Sequence, residues 1–142
     1  SDDFEESPDG ITLLQEYIEA PTASIFRMEF VNCKFLYAVE VDTSQGFELC
    51  PAEVCELESN CPTEEITKFT IVKDFSIPNI SDYESFLKQS EIGIAGIEII
   101  YDKNGDYWTY DVNTNTNYNP EAEHKGNQSA PEEIAKYLSS LA

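Results

Sequence analysis

Positive charge is what this chain has least of. Eight Lys and Arg, with Arg27 the only arginine, and a single His stand against 28 Asp and Glu in 142 residues, for a formal charge of −20. Such a surface repels phosphate backbones and anionic headgroups, which excludes nucleic acid and membrane as partners and leaves cations or cationic groups. Long apolar runs are missing as well. None approaches the roughly 18 residues a membrane helix needs, and the opening Ser1-Asp2-Asp3-Phe4-Glu5-Glu6 is the reverse of a basic signal-peptide start, so a cytoplasmic chain is expected. The four cysteines, Cys33, Cys50, Cys55 and Cys61, contain no CxxC pair, and His124 lies far from them. That spacing does not suit zinc, and a chain of this size does not need a disulfide framework, so reduced, mostly buried thiols are expected. A cysteine nucleophile is disfavoured too, because the acids around Cys50, Cys55 and Cys61 raise a thiol pKa and no His is at hand to activate one.

The length suits one domain with a real core. Residues 1–9 are acidic without apolar pattern and are expected to be a flexible lead-in to a single domain over residues 10–142. Residues 11–18 carry β-forming side chains and stop before Pro21, which predicts a strand. Two more strand-like runs, 25–31 and 35–41, are joined by Asn32-Cys33-Lys34. Residues 43–62 read as loop, and residues 68–75 are an ambiguous apolar run. Ser81-Asp82-Tyr83-Glu84 has the pattern of a capping box and predicts a helix to about Ser90. Residues after Asn119-Pro120 read as loop through Gln128, after which a second box, Ser129-Ala130-Pro131-Glu132, opens a terminal helix with Ile134, Tyr137, Leu138 and Leu141 at helical spacing. The expected fold class is therefore α+β, a mainly antiparallel sheet with flanking helices.

The most informative stretch is residues 96–119, which reads GIEIIYDKNGDYWTYDVNTNTNYN. Asn104-Gly105 predicts a two-residue hairpin loop, since both residues tolerate positive φ. With that loop, Tyr101 faces Trp108, Ile99 faces Tyr110 and Ile97 faces Val112 on one side. On the other side Gly96 faces Asn113, Glu98 faces Asp111 and Ile100 faces Thr109. Directly opposed carboxylates repel at about 5 Å unless a cation lies between them. Asn113, on the same side, adds a neutral oxygen, and the all-oxygen set Glu98, Asp111, Asn113 suits Mg2+ or Mn2+ rather than zinc. The competing reading is a solvated acidic face.

The order of helix, Gly96-Ile97-Glu98-Ile99-Ile100, NG turn, Tyr110-Asp111-Val112-Asn113 and an Asn- and Thr-rich loop resembles the C-terminal lobe of the ATP-grasp ligases, in the glutamate-ligase-like, carboxylate-amine branch. That resemblance implies metal binding by Glu98, Asp111 and Asn113, with Asp111 one methylene shorter than the Glu usual there. It also implies that Gln15, Glu16, Tyr17 and Ile18 correspond to the hinge strand holding adenine and ribose. Arg27 is similar to an arginine that contacts phosphate or acceptor, and Asn115, Asn117 and Asn119 fall in the loop near the second substrate. Nothing in the chain corresponds to the family's glycine-rich phosphate loop or nucleotide-binding lysines. The resemblance therefore implies the C-terminal portion of a longer enzyme, inactive alone, with the N-terminal and central subdomains missing. By resemblance, the whole enzyme would use ATP and Mg2+ or Mn2+ to convert a small carboxylate to an acylphosphate, which an amine then captures. The alternative is a non-enzymatic acidic domain that binds a divalent cation or a basic protein partner.

Overall fold

The computed structural model describes residues 9–12, 14–44 and 68–141. Five strands, β1 (Ser24–Val31), β2 (Lys34–Asp42), β3 (Phe69–Val72), β4 (Ile94–Tyr101) and β5 (Tyr107–Asn113), pair antiparallel in the order β3-β2-β1-β4-β5. Three helices accompany them: α1 (Ile80–Gln89), α2 (Pro120–Gly126) and α3 (Ala130–Ser139). This is the expected α+β class. Both faces of the sheet are covered, so the inner strands β1 and β4 are buried almost throughout. Met28, Phe30, Ala38, Ile97 and Ile99 pack with Leu87 of α1 on one face, and Ile25, Val39, Val41 and Ile100 pack with Ala130 of α3 on the other. Each fully buried Ile, Leu or Phe among them contributes about 1.5–3 kcal/mol. Among the described residues no helix is long and apolar enough to cross a membrane.

The two hairpins exchange the turns that the sequence predicts for them. Val31 pairs with Lys34, so β1 and β2 are joined by the two residues Asn32 and Cys33, both at positive φ as a type I′ loop requires. The β4–β5 connection is longer. Asp102 N–H donates to Asp106 O at 2.8 Å, only Gly105 of the three intervening residues has positive φ, and Asp102 Oδ1 accepts from the Asn104 and Asp106 N–H groups. The carboxylate at Asp102 organises this three-residue loop in place of the tight Asn104-Gly105 turn. As a result Tyr101 pairs with Tyr107, not Trp108, and Ile99 with Thr109, not Tyr110.

The described residues of the expected 11–18 strand, 11, 12 and 14–18, form no strand. They run as an irregular segment with Leu14 and Tyr17 exposed, and Ile18 and Ala20 anchor it to the α3-side core. Its β-forming residues find no strand to pair with among the described residues, and propensity without a partner does not make a strand. The N-cap position of α1 is Asn79, two residues before the Ser81 that the capping box predicts, and Ser81 lies inside the helix. Glu84, the presumed box partner, instead accepts from Lys34 Nζ at 2.7 Å and from the Phe35 N–H at 3.1 Å. The second box is used: Ser129 Oγ accepts from the Glu132 N–H at 3.3 Å. Helix α2 replaces an expected loop, with Asn119 Oδ1 capping the Ala122 N–H at 2.8 Å and Pro120 in the first turn. Cys33 carries a free thiol that donates to Ile92 O, whereas Cys50, Cys55 and Cys61, with most of the expected 43–62 loop, lie outside the described residues.

Candidate functional site

Side chains alternate across a strand, so β1, β4 and β5 lay two polar rows side by side on the α3 face. Arg27 pairs with Glu98, and Glu98 with Asp111. Glu29 pairs with Gly96, and Gly96 with Asn113. The opposition of Glu98 and Asp111 depends on a β-bulge. The register shifts by one residue between Glu98 and Ile99, which leaves Tyr110 as the extra residue of β5 and turns it towards Ile100 in the α3-side core. The longer loop and the bulge offset one another, so the lower half of the hairpin has the register that a tight turn and a regular strand predict.

Both glutamates are buried, and Arg27 is only 7% exposed. Arg27 Nε donates to Glu29 Oε1 at 2.7 Å, its Nη2 donates to the Asn117 carbonyl at 2.8 Å, and the guanidinium lies 5.9 Å from the centre of the Phe69 ring. Glu29 also accepts from Thr116 Oγ1, at 3.2 and 3.1 Å to its two oxygens. Thr116 fits there because residue 96 is glycine: a Cβ at that position would come within 2.9 Å of Thr116 Oγ1 and 3.2 Å of Arg27 Cδ. The loop after β5 therefore folds back over the rows and ties them to α2.

Glu98 differs from Glu29. It is 3% exposed, yet it forms no ion pair among the described residues. Burial raises its pKa, countered by the Tyr110 hydroxyl and Arg27, while Asp111 adds to the rise. The Tyr110 hydroxyl lies beside it, buried and without hydrogen-bond geometry to any partner among the described residues, and burial followed by the Glu98 charge pushes that phenol up. Burial also raises Glu29, although Arg27 and Thr116 act against it. The Tyr118 hydroxyl, also buried and without a hydrogen-bond partner among the described residues, is pushed up to about 12 by burial and by the charges of Glu29 and Glu123. A buried carboxylate without a counter-ion beside a second carboxylate is a donor set that a hard cation would complete. Asp111 is exposed, and Asn113 Oδ1 accepts from the Asn115 N–H at 2.8 Å with a second lone pair remaining. Among the described residues no third Asp, Glu, His or Cys joins them, so the protein supplies only part of a coordination shell.

The irregular segment of residues 15–18 lies over the same face. With Ile100 and Tyr110 it lines a cavity of about 170 Å³, and Gln15 Nε2 donates to the Tyr110 carbonyl at 3.3 Å. The bulged Tyr110 thus links the cavity to Glu98. Of the remaining loop candidates, Asn115 and Asn117 are exposed, while the Asn119 side-chain oxygen is taken by the α2 cap. Sequence reasoning missed Glu29, Thr116 and Gly96. The signal for Glu29 was its position two residues from Arg27, which places both on one face of β1.

Solved structures share this fold. The ATP-grasp ligase PsnB complexed with a minimal precursor matches at a TM-score of 0.61 and 12% identity over 89% of this chain. The fold is that of a part of the ATP-grasp ligase structures. PsnB complexed with a phosphomimetic variant of the minimal precursor, Mg and ADP matches at a TM-score of 0.59 and 12% identity over 90% of this chain. The Chryseobacterium gregarium RiPP-associated ATP-grasp ligase, in complex with ADP and a leader and core peptide, gives a TM-score of 0.52 at 15% identity over 88%. This chain spans 35% of the length of each of these ATP-grasp structures. No protein-family model and no curated protein sequence matches it.

Proposed function

We propose that the chain is the ATP- and metal-binding C-terminal portion of an ATP-grasp carboxylate-amine ligase that works through an acylphosphate. The observation that carries this is the row Arg27, Glu98, Asp111 across three strands, one bulged residue away from the cavity under residues 15–18. An apolar floor of Ile100 and Tyr110 with polar backbone along one side suits a planar base. Glu98, Asp111 and Asn113 would hold Mg2+ or Mn2+, which supplies charge neutralisation at the phosphoryl oxygens of ATP.

The residues of the chain divide the remaining work. Among the described residues no partner takes the Nη1 donors of Arg27, so they are open to an oxyanion on the transferred phosphoryl group. In the first step a carboxylate oxygen attacks the γ-phosphorus and ADP leaves. In the second an amine nitrogen attacks the acyl carbon, phosphate leaves and the nitrogen loses a proton. Phosphoryl transfer depends mainly on position and electrostatics, which a fixed guanidinium on a rigid sheet provides. Asn115 and Asn117, exposed where the loop crosses the rows, are the proposed contacts to the second substrate. The precursor peptide bound by PsnB in a further structure and the leader and core peptide bound by the Chryseobacterium gregarium ligase make a peptide-borne carboxylate or amine a candidate alongside a small molecule. The other ATP-grasp subdomains would hold the triphosphate from the opposite side, in a cytoplasmic enzyme.

The test is amine-dependent ADP release by the protein that includes those subdomains. Activity with a carboxylate and an amine, lost in Asp111→Asn, is the expected result. No ADP release with any amino acid or peptide pair, or full activity in Asp111→Asn, contradicts the reading.

A further inference from the structure

We infer that Glu29 is a positioning residue that holds Arg27 away from Glu98 and so keeps Glu98 available to a cation; this rests on the metal reading above. The register puts Arg27 directly opposite Glu98, the arrangement in which a buried guanidinium and carboxylate ordinarily pair. They do not pair. The ion pair runs along β1 to Glu29 at 2.7 Å instead. Two further contacts fix that choice: Thr116 Oγ1 donates to both Glu29 oxygens, and the Asn117 carbonyl takes Arg27 Nη2. Gly96, between the two rows, leaves the space in which Thr116 reaches Glu29.

An Arg27–Glu98 pair would satisfy the guanidinium equally well and would occupy a buried carboxylate that has no counter-ion among the described residues. Competition between a guanidinium and a divalent cation for one carboxylate is costly to the cation, because opposite charges about 4 Å apart attract more strongly in a partly buried site than in water. Glu29 decides that competition. It is a third negative charge in a region with a single positive one, and the wild-type arrangement accepts its burial.

The experiment uses the whole chain labelled with 15N. Mn2+ alone is the metal probe, read as paramagnetic broadening at the Glu98 and Asp111 amides. Glu29→Gln and Glu29→Met have similar shape and the same loss of charge, and only Gln retains an acceptor for Arg27 Nε. Glu29→Met is expected to weaken Mn2+ broadening about tenfold relative to Glu29→Gln, and adding Arg27→Met is expected to restore it because the competitor is gone. Arg27 is the only arginine, so its Nε–H gives one resonance that reports its partner directly. Glu98→Gln is expected to leave that resonance in place in the wild-type background and to move it in Glu29→Met. Thr116→Val is the milder variant, with a weakening of about twofold to threefold, should Glu29→Met fail to fold. Equal broadening in the Gln and Met variants, or an Arg27 resonance that answers to Glu98→Gln in the wild type, overturns this inference alone. No broadening at Glu98 in the wild-type chain overturns the metal reading and this inference together.

Discussion

Gly96→Ala probes the packing beneath the polar rows, and Gly105→Ala provides its control. At residue 96 the added methyl lands 2.9 Å from Thr116 Oγ1 and 3.2 Å from both Thr116 Cβ and Arg27 Cδ. Thr116 must move, and its hydrogen bond to the Glu29 carboxylate goes with it. Overpacking of this kind costs about 1–3 kcal/mol, and the lost hydrogen bond about 1 kcal/mol more. Reduced freedom of the unfolded chain returns about 0.5–1 kcal/mol, for a net loss of about 2 kcal/mol. In a chain of this size that lowers Tm by roughly 6–10 °C. At residue 105 a Cβ meets nothing within 4 Å, but φ is +85°, so the cost is conformational alone, about 1–2 kcal/mol. The two losses look similar in a melt and separate in a double-mutant cycle. Thr116→Ala should recover part of the loss in Gly96→Ala, because the variants share one contact, and should simply add to Gly105→Ala. Urea unfolding of the single and double variants measures this. Wild-type stability in Gly96→Ala, or strict additivity with Thr116→Ala, would refute the packing argument.

The raised pKa of Glu98 means that its neutral form suits the fold, so the stability linked to it is fully present below the ordinary value of 4.5 and is lost as pH rises through the higher folded value. Glu98→Gln should therefore be more stable than wild type at pH 7 in chemical denaturation, with the advantage fading below pH 4.5, and a variant less stable at pH 7 contradicts this. Glu123 is buried and accepts from Tyr37 Oη at 2.8 Å and from the Ala130 N–H at 2.5 Å, which joins α2, α3 and the sheet. Glu123→Ala leaves both donors unsatisfied and should cost about 2–4 kcal/mol in urea unfolding, while Glu123→Gln, which keeps an acceptor, should cost less than half of that. Trp108, the only tryptophan, donates Nε1 to Asp102 Oδ2 at 3.2 Å, so Asp102→Ala should shift its fluorescence while the helical circular dichroism is unchanged. An unmoved emission maximum would show that Asp102 does not organise the loop.

The elements legible in the sequence are those specified locally. The β1–β2 pair, α3 with its Ser129 cap, and the polar face of β4 follow from alternation and capping chemistry alone. What was not legible depends on tertiary partners. Residues 11–18 have strand-forming side chains and, among the described residues, no strand to pair with, Glu84 serves Lys34 and Phe35 rather than its own helix, and α2 offers only Ala122 as an apolar anchor. The pairing of Glu98 with Asp111 is instructive. A two-residue Asn104-Gly105 loop and a regular β5 predict it, whereas an Asp102-capped three-residue loop and a bulge at Tyr110 produce it. The bulge matters to the site, because it is what brings Tyr110 to both Glu98 and the cavity beneath residues 15–18. A sequence pattern with period two cannot signal such an insertion, and Arg27 with its true partner Glu29 looks in the sequence like any alternating strand.

The central claim is that this sheet face holds a nucleotide through a divalent metal. Titration of Mg2+ and ADP into the 15N-labelled chain tests it most directly, since amide shifts report even weak binding residue by residue. The expected result is shifts at Glu98, Asp111 and Asn113 with Mg2+ that grow when ADP is added, together with shifts at residues 15–18 that need both Mg2+ and ADP, all of which disappear in Asp111→Asn. Shifts confined to the α1 face, or an unchanged response in Asp111→Asn, would contradict it.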